Sequence, residues 1–540
     1  MVENLRVGVG EVEDEVLVAR VADRLGLAPD AVAAARVVHR ALDARRKRDI
    51  HWSVHAAVDL RDAASARRAL EGGKARRPEA RVKEPLDAAV LDGVAPTRLP
   101  AAPPLRAPPV VVGSGPGGLF AAWLLAREGY APLVLERGPG VERRVRVVNA
   151  FDHGGPHDPE CNILYGEGGA GTFSDGKLTC RVRTPLVGLV HELLIAAKAP
   201  EEIRITAKPH VGTDRLRAVL VYLRRELERL GARLRFDARV DDLLLDGDGA
   251  VRGLRLASGE EVPASAVIWA TGHSARDTYA MLRARGVAME FKPFQLGLRI
   301  EHPQDLIDRA QYGALAGRLP VAEYALNDRR EHVFSFCMCP GGTIMASVSE
   351  AEHLCSNGMS RRKRDSGKAN SGLVYTVEGA LTPHGGRDPL DGVALQRRYE
   401  RRAFELGGGT YAMPAQRAQD FLRGRASKGP LASTYPRALA PADLREVLPP
   451  EAGRAIQRAL ALFDRLIPGY AGADALLVGP EARGSSPVRV PRDERSRVST
   501  STPGLYPVGE GAGYAGGIMS AAVDGLRSAA ALAQAWAPAG

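Results

Sequence analysis

Residues 110–118 read Val-Val-Val-Gly-Ser-Gly-Pro-Gly-Gly, and the reading of this stretch decides the fold. Three β-branched residues, Val110, Val111 and Val112, run straight into Gly113-x-Gly115-x-x-Gly118, and residues 119–127 continue as a helix. Each glycine has a mechanical reason. Gly113 permits the tight strand-to-helix turn, Gly115 has no side chain to block a pyrophosphate, and Gly118 lets helix and strand pack closely. The helix N-terminus aims free N–H groups and a partial positive charge at the phosphates. A second strand over residues 132–135 ends in Glu136-Arg137-Gly138. That places Glu136 about 20 residues beyond the glycines, where an acid can bond a ribose hydroxyl. The pattern predicts a Rossmann-like βαβ unit that binds a dinucleotide.

The whole chain suits such a unit. Its 540 residues leave room for about two to four domains, and 45% hydrophobic with 26% charged residues is the balance of a globular protein. The first residues, Met1-Val2-Glu3-Asn4-Leu5-Arg6, lack the cationic-then-apolar order of a secretory signal. The apolar run at residues 119–126 is far shorter than the roughly 20 residues of a membrane span. The five cysteines, Cys161, Cys180, Cys337, Cys339 and Cys355, form no CxxC pair and no zinc spacing. A reducing, cytoplasmic location with no membrane, no bound metal and no disulfide framework is expected. The net charge of +10 reflects arginine abundance. It suits anionic cofactors and substrates, and keeps a polyanionic partner open.

Outward from the fingerprint, residues 1–75 read as a small α/β, ferredoxin-like unit. It has a strand at 5–9, a helix at 11–25, a second helix at 31–42 and a strand at 50–60. Residues 76–108 are rich in Pro, Ala and Arg and read as a linker. Residues 109–289 read as the first part of the dinucleotide-binding domain, 290–475 as an inserted mixed α+β substrate domain, and 476–540 as the closing part of the dinucleotide-binding domain. Within the first part, helices are predicted at 186–197 and at 213–230, the latter capped by Thr213 or Asp214. A strand at 233–240 precedes a hairpin turned at Asp246-Gly247-Asp248-Gly249. Residues 356–371 read as a mobile polar surface loop. Gly166-x-Gly168-x-x-Gly171 repeats the fingerprint letters, but Thr172-Phe173-Ser174-Asp175-Gly176 after it is no helix. It is not a second nucleotide-binding unit.

Three patches separate FAD from a nicotinamide nucleotide. An apolar strand at residues 266–269 ends in Ala270-Thr271-Gly272. Residues 166–178 hold Gly169 and Gly171 in a glycine-dense loop. Near the C-terminus stands Leu505-Tyr506-Pro507-Val508-Gly509-Glu510-Gly511-Ala512-Gly513-Tyr514-Ala515-Gly516-Gly517-Ile518. With Lys208–Asp214, Phe336-Cys337-Met338-Cys339-Pro340-Gly341-Gly342 and Glu481-Ala482-Arg483-Gly484-Ser485-Ser486, these residues resemble the uncharacterised bacterial and plastid FAD-dependent dehydrogenases, within the glutathione-reductase-like flavoprotein group. The resemblance covers roughly residues 105–530. It implies FAD held by Gly113, Gly115, Gly117, Gly118, Glu136, Arg137, Gly169, Gly171, Thr271, Gly272, Gly509, Glu510, Gly516, Gly517 and Ile518. It also puts Val240 at the adenine, at the end of the earlier strand. The implied activity is hydride transfer at flavin N5 to or from a small molecule, with NAD(P)H open as a transient donor. An RNA-associated flavoprotein and an electron-transfer or scaffold protein are the alternatives.

Candidate chemistry rests on Lys177, His210 and Arg299. A histidine titrates in the useful range, a lysine can stabilise a reduced flavin, and an arginine can clamp an anion. Cys337 and Cys339 on one strand would point to one face, since i and i+2 align. They read either as a redox pair or as two small buried hydrophobes.

Overall fold

The computed structural model describes residues 1–11, 14–76 and 102–539. Most of the predicted linker, residues 77–101, lies outside them.

The fingerprint strand Val110–Val112 sits at the centre of a five-stranded sheet. The order is Leu505–Pro507, Val267–Trp269, Val110–Val112, Leu133–Leu135, Arg233–Arg235, and every pairing is parallel. The central strands are buried on both faces, and the pleat sorts their side chains. Val111, Val134 and Ile268 join the helices Pro116–Arg127, Pro185–Ala196, Thr213–Arg229 and Ile518–Ala535 in one core. Val110, Val112, Leu133 and Leu135 face the other way, onto an antiparallel sheet of Val240–Leu245, Val251–Leu256 and Glu261–Pro263. This is the α/β, Rossmann-like architecture that the glycine spacing predicts. The helix at 213–230 forms, but its cap position is Gly212, with no side-chain cap bond. The Thr213 hydroxyl bonds the carbonyl of Thr172 instead, and Asp214 accepts from the Arg362 N–H. The predicted strand at 233–240 stops at Arg235, so Val240 opens the next sheet and does not close the earlier strand.

A seven-stranded sheet forms the second half. Its order is Asn327–Asp328, Val333–Cys339, Lys368–Val377, Phe294–Pro303, Leu476–Glu481, Met413–Arg417, Leu439–Pro441. Helices Asp391–Leu406 and Pro450–Leu466 share its core. The sheet runs past residue 475, because Leu476–Glu481 pairs with Phe294–Pro303 and Met413–Arg417. Residues 356–371 are a surface loop only at 360–367, between two strands. Ser356–Met359 pairs with Thr343–Ala346, and Asn370 and Ser371 begin an interior strand. Their polar side chains are buried where hydrogen bonds satisfy them: Ser356 bonds Glu481, Asn370 accepts from Arg299, and Ser371 bonds Phe336 O.

In the N-terminal unit the strands Val2–Val7, His51–Leu60 and Val32–Asp43 lie in that order, all antiparallel, with His51–Leu60 between the other two. Among the described residues this is the split βαβ arrangement of three ferredoxin-like strands. The predicted helix at 31–42 is therefore a strand. Alanines favour helix locally, but a helix this short is marginal alone, and a ladder running from Val32 to Asp43 against the neighbouring strand prevails. The unit docks through Arg40, whose N–H bonds Ile205 O at 2.8 Å and whose carbonyl accepts from Ala207 N at 2.9 Å.

The first helix seats against the last one with almost no clearance. A Cβ on Gly525 would lie 2.0 Å from Gly117 O, and one on Gly118 would lie 1.9 Å from Gly113 O. Both obstructions are backbone, which cannot swing aside. Gly118→Ala or Gly525→Ala is expected to destabilise the protein by about 3 kcal/mol or more. Gly188→Ala, in a helix with nothing within 4 Å of the new Cβ, should leave stability unchanged or raise it. Thermal melts of the three variants check this.

Candidate functional site

A single cleft runs across the carboxyl ends of the parallel strands, the position at which open α/β sheets bind ligands. It encloses about 1740 Å³ including its open mouth. One end is lined by Leu135, Glu136, Arg137, Ala238, Arg239 and Val240, the other by Lys177, Phe336, Cys337, Gly516, Gly517 and Ile518. Helices Pro116–Arg127 and Ile518–Ala535 both begin at the cleft, and neither carries a side-chain cap. Their first N–H groups are donors for an anionic ligand.

The fit to FAD is tested by the glycines. A Cβ on Gly115, Gly272, Gly516 or Gly517 would meet nothing within 4 Å, although all four residues line the cleft. These positions form a cradle that side chains would fill. Gly113, Gly117, Gly169, Gly171, Thr271, Gly509 and Glu510 line the same cleft. Gly118 does not, since it serves the helix–strand contact described above. The donor set suits the group: uncapped helix ends for phosphates, and a long groove reaching from Val240 to Ile518.

Glu136 is placed differently from the sequence expectation. Its carboxylate accepts from Ser114 N at 2.9 Å, Ser114 Oγ at 2.7 Å, Gly138 N at 3.0 Å and Gly166 N at 3.0 Å. Those four donors fill a carboxylate's capacity. It ties three loops together, and a ribose hydroxyl could enter only in place of Ser114 Oγ. Arg137 pairs with Glu160 and Asp277 and lies 4.1 Å from the ring centre of Tyr165.

Of the three candidates for chemistry, one reaches the cleft with its side chain. Lys177 lines it, bonds the carbonyl of Met338 and lies 3.6 Å from Asp175. Burial opposes its charge, but Cys339, Asp175 and Cys337 outweigh that and hold its pKa above the ordinary value. His210 pairs with Lys177 through the backbone, and its ring turns to Arg362 O at 3.3 Å, outside the cleft lining. Burial and Arg364 lower its pKa. Arg299 is fully buried and clamps no ligand: it forms a two-pronged pair with Glu481 at 2.9 Å and bonds Asn370 Oδ1 at 2.8 Å. Its remaining contact is the carbonyl of Cys337 at 3.4 Å, so it acts from behind the cleft wall.

The two thiols do not share a face. Strand Val333–Cys339 is irregular between Phe336 and Cys339, and Cys337 stands at φ +44. For a side chain with a Cβ that conformation costs of order 1–3 kcal/mol. The kink puts Cys337 in the cleft wall, and Cys339 stays buried with its thiol 3.3 Å from Cys337 O.

Sequence reading missed two groups, His273 and Ser347. His273 lines the cleft 3.8 Å from Glu510, its pKa pushed down to about 3 by burial and by Arg483 and Arg276. Arg483 lines it too, paired with Glu400 and bonded to Ser349 Oγ at 2.6 Å. Ser347 Oγ is buried at the cleft with no protein partner. His273 directly follows the Ala-Thr-Gly turn, which is a usable signal. Arg483 stands in the Glu481–Ser486 stretch that the sequence marks, whereas Ser347 comes from a distant segment with no local pattern to mark it.

A strand–glycine turn–helix, a closing helix and one shared cleft define a dinucleotide-binding α/β protein of the flavoprotein type. Residues 293–484 match the family described as FAD-dependent protein, C-terminal domain-like, and residues 111–158 match the NAD(P)-binding Rossmann-like domain. An uncharacterized protein of Clostridium beijerinckii is 40% identical over 522 residues, covering 95% of each chain. The chain belongs to one family with that protein. Among solved structures it is similar to L-proline dehydrogenase from P. horikoshii, at 13% identity and a TM-score of 0.31 over 80% of this chain and 93% of that one. Glycine oxidase from Geobacillus kaustophilus gives 13% and 0.34 over 79% and 93%. Among the described residues no helix is long and apolar enough to cross a membrane, and no group of His, Cys, Asp and Glu is placed to hold a metal.

Gly115 has φ −70, a conformation open to any side chain. Gly115→Val is therefore expected to fold with an unchanged apoprotein melting temperature. Its FAD affinity should fall at least about tenfold, read by flavin fluorescence. Glu510 gives a second test. Burial raises its pKa to about 7, against partial relief from Gly517 N–H and Lys292. A carboxyl whose folded pKa is raised contributes stability below its unfolded value near 4.5, and loses it as pH rises through 7. The side chain is 26% exposed, which reduces the effect to about 1–2 kcal/mol. Melts of the apoprotein from pH 5 to 8 should show this loss, and Glu510→Gln should abolish it.

Proposed function

We propose that this protein is an FAD-dependent oxidoreductase that moves a hydride between flavin N5 and a small molecule. The substrate enters between the FAD-binding half and the seven-stranded sheet. The observation that carries this reading is the cleft itself: glycines from both ends of the polypeptide leave one continuous groove, and titratable groups from the second half line its far end. When bound, FAD supplies a two-electron acceptor.

The chain's own residues have distinct tasks. The first N–H groups of Pro116–Arg127 bind the pyrophosphate, with Gly115 and Gly117 giving backbone clearance. The uncapped start of Ile518–Ala535 would hold the ring end of the cofactor, and its partial positive charge would favour the reduced form. Val240 and Gly272 flank the adenine half. Lys177 holds a positive charge at the substrate end, and His273, kept neutral, accepts or donates a hydrogen bond without adding charge. Phe336, Ser347 and Asn357, the last on the hairpin Thr343–Ala346/Ser356–Met359, shape the wall where the substrate sits. NADH or NADPH enters transiently as donor, since the five-stranded sheet is the one nucleotide-binding sheet among the described residues.

Anaerobic addition of NADH, NADPH or a metabolite panel to the FAD-loaded protein tests this reading. At least one is expected to bleach the flavin band. Lys177→Met should slow the bleaching about 100-fold with flavin content unchanged. A band that no small molecule bleaches, but that a protein partner does, replaces this reading with an electron-transfer role.

A further inference from the structure

The five cysteines of this chain are not equivalent, and two of them stand where electrons would pass. Cys161 and Cys355 are buried thiols whose pKa burial pushes up, to about 11 and about 12. Cys180 lies outside the cleft lining. Cys337 is the one cysteine of the cleft wall, brought there by the irregularity between Phe336 and Cys339 and by its left-handed backbone. Cys339 lies immediately behind it, its thiol 3.3 Å from the Cys337 carbonyl.

Two cations are fixed on this short segment. The Lys177 ammonium bonds the carbonyl of Met338, the residue between the two thiols, and the Arg299 guanidinium bonds the carbonyl of Cys337 at 3.4 Å. Each is anchored on its other side, Lys177 beside Asp175 and Arg299 on Glu481. Cations so placed favour a thiolate, the reactive form of cysteine. The effect shows in the pair: the neighbouring Cys339 thiol, then Lys177 and Arg299, draw Cys337 below the ordinary thiol value against its burial, while Cys339 is held well above it. A low-pKa attacking thiol in an open wall, backed by a protonated partner, is the arrangement of a dithiol redox site. Cys337 and Glu510, on the closing glycine turn, line the same cleft.

We infer that Cys337 and Cys339 form a thiol redox site that exchanges two electrons with the flavin held in the cleft. The inference rests on the FAD reading above. In the oxidative direction one S–S bond forms between the two sulfurs, and the Cys339 S–H bond breaks. The Cys337 thiolate and Cys339 together lose two electrons and one proton. Oxidised flavin accepts the electron pair, and the proton passes to flavin or to solvent. In the reverse direction reduced flavin returns the pair, the S–S bond opens, and Lys177 faces the Cys337 thiolate again.

The full-length FAD-loaded protein is treated with the thiol oxidant diamide, freed of reagent and divided. One portion is denatured at once and its thiols counted. In the other the flavin is first reduced photochemically without air. Three thiols are expected in the first portion and five, the full complement, in the second. Peptide mapping should find the oxidised pair within the single segment carrying Cys337 and Cys339. Cys180→Ser should lower both counts by one and keep the difference, whereas Cys337→Ser should abolish the difference. Five thiols after diamide, or a bleached flavin with the count still at three, overturns the inference. Flavin content is read separately by absorbance, so failure to bind FAD is distinguished from failure of the thiols to react.

Discussion

Everything in the FAD-binding half depends on one close contact between helices that lie four hundred residues apart in the chain. Helix Pro116–Arg127 and helix Ile518–Ala535 meet at Gly117 and Gly525 with no room for a methyl group. That approach aligns two helix N-termini on one cleft and brings the Gly509–Ile518 turn over the fingerprint. Tyr130 adds a lock, its hydroxyl bonding the carbonyl of Ala533 at 3.2 Å. A Rossmann sheet without this closing helix would present its phosphate cradle to solvent on one side.

The second half is fastened to the first by charge. Glu400, fully buried, receives Arg276 from just after the strand Val267–Trp269 and Arg483 from the cleft wall. Arg276 also reaches Glu350 at 2.8 Å and Gln396 at 3.1 Å. Burial works against the Glu400 charge, but the two guanidiniums dominate and hold its pKa down at about 2. Removing one partner from such a cluster strands a buried charge, which costs about 3–5 kcal/mol. The cluster ties the segment after Val267–Trp269 and the cleft wall to helix Asp391–Leu406.

The legible parts of the fold were those governed by local backbone demand. The glycines at 113, 115 and 118, the Ala-Thr-Gly turn and the C-terminal glycine run are positions where one residue type suits the geometry. Residues 32–43 and 356–371 misled because their structure is set by distant partners. Alanine content suggests helix at the first, and serine and asparagine suggest exposure at the second. Neither signal carries the strand or the buried guanidinium that decides the outcome. The same holds for the site. Lys177 was placed at the cleft by its glycine-dense neighbourhood, but Arg299 finds its partner in Glu481, far along the chain. The turn of Cys337 into the wall follows from a bulge that strand alternation does not announce.

The order of the five-stranded sheet has a consequence for how the protein is made. Strand Leu505–Pro507 pairs beside Val267–Trp269, and Ala537 bonds back to Pro103 and Leu105. During synthesis the amino-terminal half emerges long before the segment that completes it, and domains form as their pieces leave the ribosome. The nascent Rossmann sheet therefore waits, missing an edge and its capping helix, until residues 505–535 have been made. The two glycine-rich arms of the cleft meet only then, so the order of synthesis sets when the cradle is complete.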